Sequence, residues 1–162
     1  MRVLRIYLLV LSYLLTAITV YTSDFNKPSF LLGAGTTLDV TPSEIEKVYV
    51  TSQGALTFPG NPGLMLKASF SYHRDSIMFR LPAVLNITVF SDRRGFLHLD
   101  CYAGAGGELY SSSKSSEISP LLTGGIICAI GNIYVDFTIT SAYRSDNTDS
   151  DIGIVIGLYL QP

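Results

Sequence analysis

Ile-Tyr-Val-Asp-Phe-Thr-Ile-Thr, residues 133–140, alternates without a break between an apolar set (Ile133, Val135, Phe137, Ile139) and a more polar one (Tyr134, Asp136, Thr138, Thr140). Successive side chains of a strand point to opposite faces, so this period of two predicts a strand with one face on a core and one toward solvent. The pattern recurs on both sides. Leu64, Leu66, Ala68, Phe70 and Tyr72 form one apolar set; Leu85, Ile87 and Val89 another; Leu97, Leu99 and Cys101 a third. Ile126, Cys128 and Ile130 share a face, as do Ile152, Ile154, Ile156, Leu158 and Leu160. In each run the apolar set is read as the core face. The β-branched and aromatic residues 45–51 predict a further strand, with a short helix over residues 42–47 as the competing reading, capped by Ser43 with Glu46 three later.

Turn chemistry separates these runs: Pro59-Gly60-Asn61-Pro62-Gly63, Asp92-Arg93-Arg94-Gly95, Gly124-Gly125 and Asp146-Asn147-Thr148-Asp149. Residues 103–125, with GAGAGG followed by SSSKSS, read as a long exposed loop. Strands at roughly ten-residue spacing predict an all-β domain, a jelly-roll-like β-sandwich.

The chain opens with Arg2 and Arg5, then carries no charge over residues 6–21, where leucine dominates. That is the layout of a secretory signal over residues 1–22, cleaved before Asp24 or retained as an anchor. It predicts an extracellular or cell-surface location for one domain over residues 23–162. With 11 Lys+Arg against 13 Asp+Glu there is no basic excess, which argues against a nucleic-acid partner.

In an exported chain, two cysteines on expected core faces predict a disulfide between Cys101 and Cys128. Asn86-Ile-Thr88 is a glycosylation sequon on an expected outward face. Asp146, Asp149 and Asp151 cluster as hard-cation ligands do, but without the spacing of a calcium loop, so a solvated hairpin turn is favoured. His73 and His98 stand alone and read as solvated surface residues. No zinc, nucleophile-elbow or dithiol motif occurs, so no catalytic residue, metal or cofactor is assigned and the chain is not read as an enzyme.

Tyr21-Thr-Ser-Asp24, Phe30 and Ala34-Gly-Thr-Thr-Leu-Asp-Val40, together with Asp146-Asn147 and a last strand closing on Leu160-Gln161, resemble the TasA/camelysin family, with one extra Thr interrupting the N-terminal motif. The resemblance implies a jelly-roll subunit of an extracellular fibre or pilus, each subunit completing the sheet of the next. Tyr21, Ser23 and Phe25, on one face of an extended segment over about residues 21–32, are then the donor anchors. The implied partner is the protein itself, as a homopolymer, with membrane contact only through the signal segment. The alternative is a monomeric secreted or membrane-anchored β-sandwich that binds a carbohydrate or surface ligand.

Overall fold

A computed structural model describes residues 28–40, 45–60, 62–91, 96–113, 115–145 and 148–160. The expected signal, the cleavage site and the donor anchors Tyr21, Ser23 and Phe25 lie outside the described residues, as do residues 42–44 of the short helix expected at 42–47, where Ile45 already opens a strand in place of its second half. Eight strands follow in sequence: β1 (Ser29–Val40), β2 (Ile45–Phe58), β3 (Gly63–His73), β4 (Ser76–Ser91), β5 (Leu97–Ser112), β6 (Ser116–Ile130), β7 (Ile133–Tyr143) and β8 (Thr148–Leu160).

Each strand pairs antiparallel with the next, and β8 returns to β1, with Phe30 opposite Leu160 and Val40 opposite Ser150. The sheet is therefore a closed barrel, and this corrects the jelly-roll sandwich. A sandwich needs two sheets sharing an apolar filling; here one sheet bends round on itself and has no second sheet to face. Following the pairs once around from Ser29 leads back to β1 at Asp39, displaced by about ten residues, the stagger that tilts strands in a closed wall.

The period of two is present throughout, but the apolar sets point outward. Leu64, Leu85, Ile87, Val89, Ile126, Ile130, Phe137, Ile139, Ile154, Ile156 and Leu158 are all exposed. Their polar neighbours face the lumen, where Thr51, Gln53, Lys67, Arg80, Glu108, Asp136, Thr140 and Asp151 are buried. An apolar lumen cluster does exist, built from Leu31, Ala55, Met65, Val84, Tyr102, Ile127, Ala129, Tyr134 and Val155. It fills the part of the barrel nearest Ser29 and Leu160, where β1 begins and β8 ends.

The expected loop over 103–125 is two long strands joined by a tight connection, with Ser111 opposite Ser116. Its small residues alternate like the rest: Ala103 and Ala105 are exposed, while Gly104 and Gly106 face inward. A glycine-rich run carries no apolar periodicity of its own, and only the neighbouring strands make it a strand. Gly125 shows what such positions are for. It sits opposite Tyr102, and a β-carbon there would lie 2.5 Å from the Tyr102 Oη and 2.7 Å from its Cζ. The tyrosine ring and the Phe137 carbonyl oxygen, only 2.2 Å from that position, occupy the volume that any side chain would need. Gly125→Ala is expected to cost about 1–3 kcal/mol, as overpacking does, read from the unfolding midpoint of the purified barrel.

Candidate functional site in the barrel lumen

Two ionic layers cross the lumen. The first centres on Asp136 of β7, fully buried. Its Oδ2 accepts from Lys67 Nζ of β3 at 2.7 Å and from Gln53 Nε2 of β2 at 2.6 Å. Its Oδ1 accepts from the Tyr102 hydroxyl of β5 at 2.7 Å and from Thr138 at 3.2 Å. Lys67 also donates to the Tyr102 oxygen at 2.5 Å and stands 4.1 Å from that ring's centroid. One carboxylate thus gathers donors from four strands. A buried charge is tolerable only when paired and fully hydrogen-bonded, and this one is.

The second layer lies toward the end of the barrel that carries the β5–β6 and β7–β8 connections. Glu108 of β5 is fully buried. Its Oε2 accepts from Arg80 Nε of β4 at 2.6 Å, and its Oε1 accepts from Arg144 Nη2, just past β7, at 2.7 Å. Arg80 pairs onward with Asp151, and Arg144 with Asp149, both on β8. Five charges therefore alternate in sign across the lumen: Asp149, Arg144, Glu108, Arg80, Asp151. Arg144 also stacks on Tyr110, 3.9 Å from its centroid. Burial opposes the Arg144 charge, but the hydrogen bond and charge of Glu108, with the charge of Asp149, hold its guanidinium above the ordinary range.

Hydroxyl groups line the wall between the layers, with Thr37 bonded to Thr51 at 2.7 Å, Thr51 to Ser71 at 2.8 Å and Thr123 to Thr140 at 3.1 Å. A cavity of about 30 Å³ touches both layers, bounded by Lys67, Arg80 and Asp151 together with Thr37, Thr51 and Thr123. It has room for a water molecule and suitable polar partners for one.

Several residues singled out in the sequence stand elsewhere than expected. Asn86 faces the lumen and is buried, since β4 turns Leu85 and Ile87 outward; the sequon is walled in rather than displayed. Cys101 and Cys128 are free thiols on the outer face of neighbouring strands. Cys101 pairs with Ile126 and Cys128 with Leu99, so the two are diagonal neighbours. Diagonal positions across an antiparallel pair sit farther apart than the Cα spacing a disulfide prefers. Asp149 and Asp151 are engaged by arginines rather than arranged around a cation. His98 faces inward, 3.0 Å from Asp100, and His73 contacts the Val48 carbonyl at 2.9 Å. Among the described residues no group of three His, Cys, Asp or Glu is placed to hold a metal ion.

Lys67, Arg80, Glu108, Asp136 and Arg144, which build the two layers, were not read from the sequence as a site. For Lys67 and Asp136 the available signal was their place on the polar phase of predicted strands, read as solvated; Glu108 fell within the expected loop, and Arg80 and Arg144 in stretches assigned to no strand.

Taken together, a closed antiparallel wall of eight strands, apolar outside and ionic within, defines a class of protein. Solved structures of that architecture are similar to this chain. Neisserial surface protein A matches with a TM-score of 0.61 at 9% identity, over 83% of this chain and 97% of that one. Ail, the attachment invasion locus protein of Yersinia pestis, matches at 0.54 and 12%, over 85% and 100%. The N-terminal β-barrel domain of Pseudomonas aeruginosa OprF matches at 0.53 and 11%, over 85% and 100%. At these identities the likeness is one of fold. No protein-family model matches the chain, and no curated protein sequence does.

Both readings built on a sandwich fall with it. Donor-strand polymerisation needs an open edge to receive the donor. Here β1 is bonded on both sides, to β2 and to β8, and every other strand is likewise flanked. A homopolymer held by Tyr21, Ser23 and Phe25 has nowhere to seat its donor, and a secreted sandwich module would not present its apolar set to solvent.

Proposed function

We propose that this protein spans an outer membrane as a small β-barrel, with its lumen closed by ion pairs and its strand connections displayed at the surfaces. The single observation that carries this reading is the polarity of the wall. A hydrocarbon environment demands that every backbone polar group be satisfied internally, and a closed barrel meets that demand. It also inverts the usual placement, with apolar side chains outward and polar ones in the lumen. The strands run from 11 to 16 residues, against roughly 9–11 needed for a tilted strand to cross the hydrocarbon core. Near one end Ser111, Ser116, Ser141 and Ser150 interrupt the apolar outer face, with Tyr72 and Tyr143 exposed nearby. Tyrosine suits the headgroup level, where one part of the ring is apolar and the other wet. The expected cell-surface location is thereby refined to the membrane itself, as a structural element of it.

The test is refolding. Chain dispersed in urea is expected to acquire a β-sheet circular dichroism spectrum on dilution into detergent micelles or phospholipid vesicles, and to aggregate on dilution into buffer. A stable folded monomer in buffer without amphiphile would overturn the reading.

A further inference from the structure

We propose that Met78 is a site of peroxide oxidation and that its sulfoxide is held by Arg80 and Arg144. The inference goes beyond the membrane-spanning reading and rests on the closed barrel alone. Met78 is 1% exposed, yet it stands in the second ionic layer rather than in the apolar cluster. Its Sδ accepts from Arg80 Nη2 at 3.3 Å and from Arg144 Nη2 at 3.9 Å. Each of those nitrogens carries two hydrogens. One goes to a carboxylate, Asp151 for Arg80 and Glu108 for Arg144. The other is left to a thioether, a weak acceptor. Two charged donors thus converge on one sulfur that makes little use of them. Met65 is equally buried at 1% exposed, but it packs in the apolar cluster.

One oxygen on Sδ changes the balance. A sulfoxide oxygen buried among apolar groups is an unpaired polar atom, which is why methionine oxidation disrupts cores. At Met78 the oxygen meets two guanidinium N–H groups, and two weak contacts become charge-assisted hydrogen bonds. In the step itself the Sδ lone pair attacks one oxygen of hydrogen peroxide and the O–O bond breaks. The proton on the attacked oxygen passes to the departing hydroxide, which leaves as water. Sulfur is oxidised by two electrons and the peroxide is reduced. The guanidiniums stabilise the charge that builds on the departing oxygen. Met78 is the third residue of β4, close beneath the mouth where Arg144, just past β7, is partly exposed. An oxidant little larger than water enters there.

The experiment is hydrogen peroxide treatment of the folded protein. It is read in micelles or in buffer, whichever holds the closed barrel, so this proposal and the membrane reading fail separately. Peptide mass spectrometry over time is expected to show one oxygen on Met78 appearing about tenfold faster than on Met65, the factor that one charge-assisted hydrogen bond supplies. The urea midpoint is then measured before and after oxidation in wild type and in Met78→Leu, which corrects for every other oxidisable group. Relative to that control, the oxygen on Met78 is expected to leave the midpoint unchanged or to raise it. If Met78→Leu does not fold, the ratio of rates within the wild type decides. Equal rates at the two methionines, a Met78 that stays reduced in the folded barrel, or a midpoint lowered by its oxidation would overturn the proposal.

Discussion

Asp136→Ala is expected to be among the most destabilising single substitutions in this barrel, at about 3–5 kcal/mol. The loss follows from what stays behind. Lys67 is 5% exposed, and with the carboxylate gone its ammonium has only the Tyr102 hydroxyl and a 3.4 Å contact to Thr138. Gln53 and Tyr102 lose their acceptor as well. Replacing both members of the pair tests this account. Lys67→Met with Asp136→Ala is expected to recover much of the loss, because no buried charge then remains uncompensated. Urea titration of the four proteins in one detergent completes the double-mutant cycle. Additive losses in the double variant would mean that the two side chains do not act as a pair.

The second large effect belongs to the outer wall. Ile154 faces outward near the middle of β8, flanked by Thr36 of β1 and Phe137 of β7. Ile154→Arg is expected to cost about 2–4 kcal/mol in a lipid bilayer, since a cation at mid-depth must be drawn out of water. Ser150→Arg, on the same strand and the same face but at its polar end, is expected to cost only about 0–1 kcal/mol. The contrast between the two, measured by unfolding from vesicles of one composition, reads depth rather than chemistry. Equal costs at both positions would mean that the outer face meets no hydrocarbon.

The strands were legible in the sequence because their alternation is strong. Residues 133–140 and 152–160 could hardly be anything else. What alternation does not state is which phase faces the solvent, because it reports two faces without saying what each touches. The missing evidence lay in the polar phase. Lys67, Arg80 and Asp136 alternate with apolar neighbours, Glu108 follows a pair of glycines and Asp151 precedes the last apolar run, and a solvated face would tolerate such charges at random. Here they are placed so that each meets an opposite charge from a distant strand, a relation only the closed register reveals. Closure itself was hidden for a similar reason: no residue of β1 or β8 announces that the two will pair. The glycines of residues 104–107 were misread because their smallness was taken for looseness. In a barrel they are thin places in the wall, and at Gly125 the thinness accommodates the ring of Tyr102.

Phe30 lies opposite Leu160, so the first described strand is completed by the last. A ribosome releasing this chain would have made six of the eight strand pairings available before β8 emerged to supply the last two, to β7 and to β1. Until then the ribbon would keep two raw edges, which lipid cannot solvate. The joining of β1 to β8 also links the most widely separated strands in the chain, the kind of contact that forms slowly. Any machinery or detergent that folds this protein must therefore shelter a nearly finished cylinder with one open seam, and chains cut short before β8 would be left with that seam permanently open.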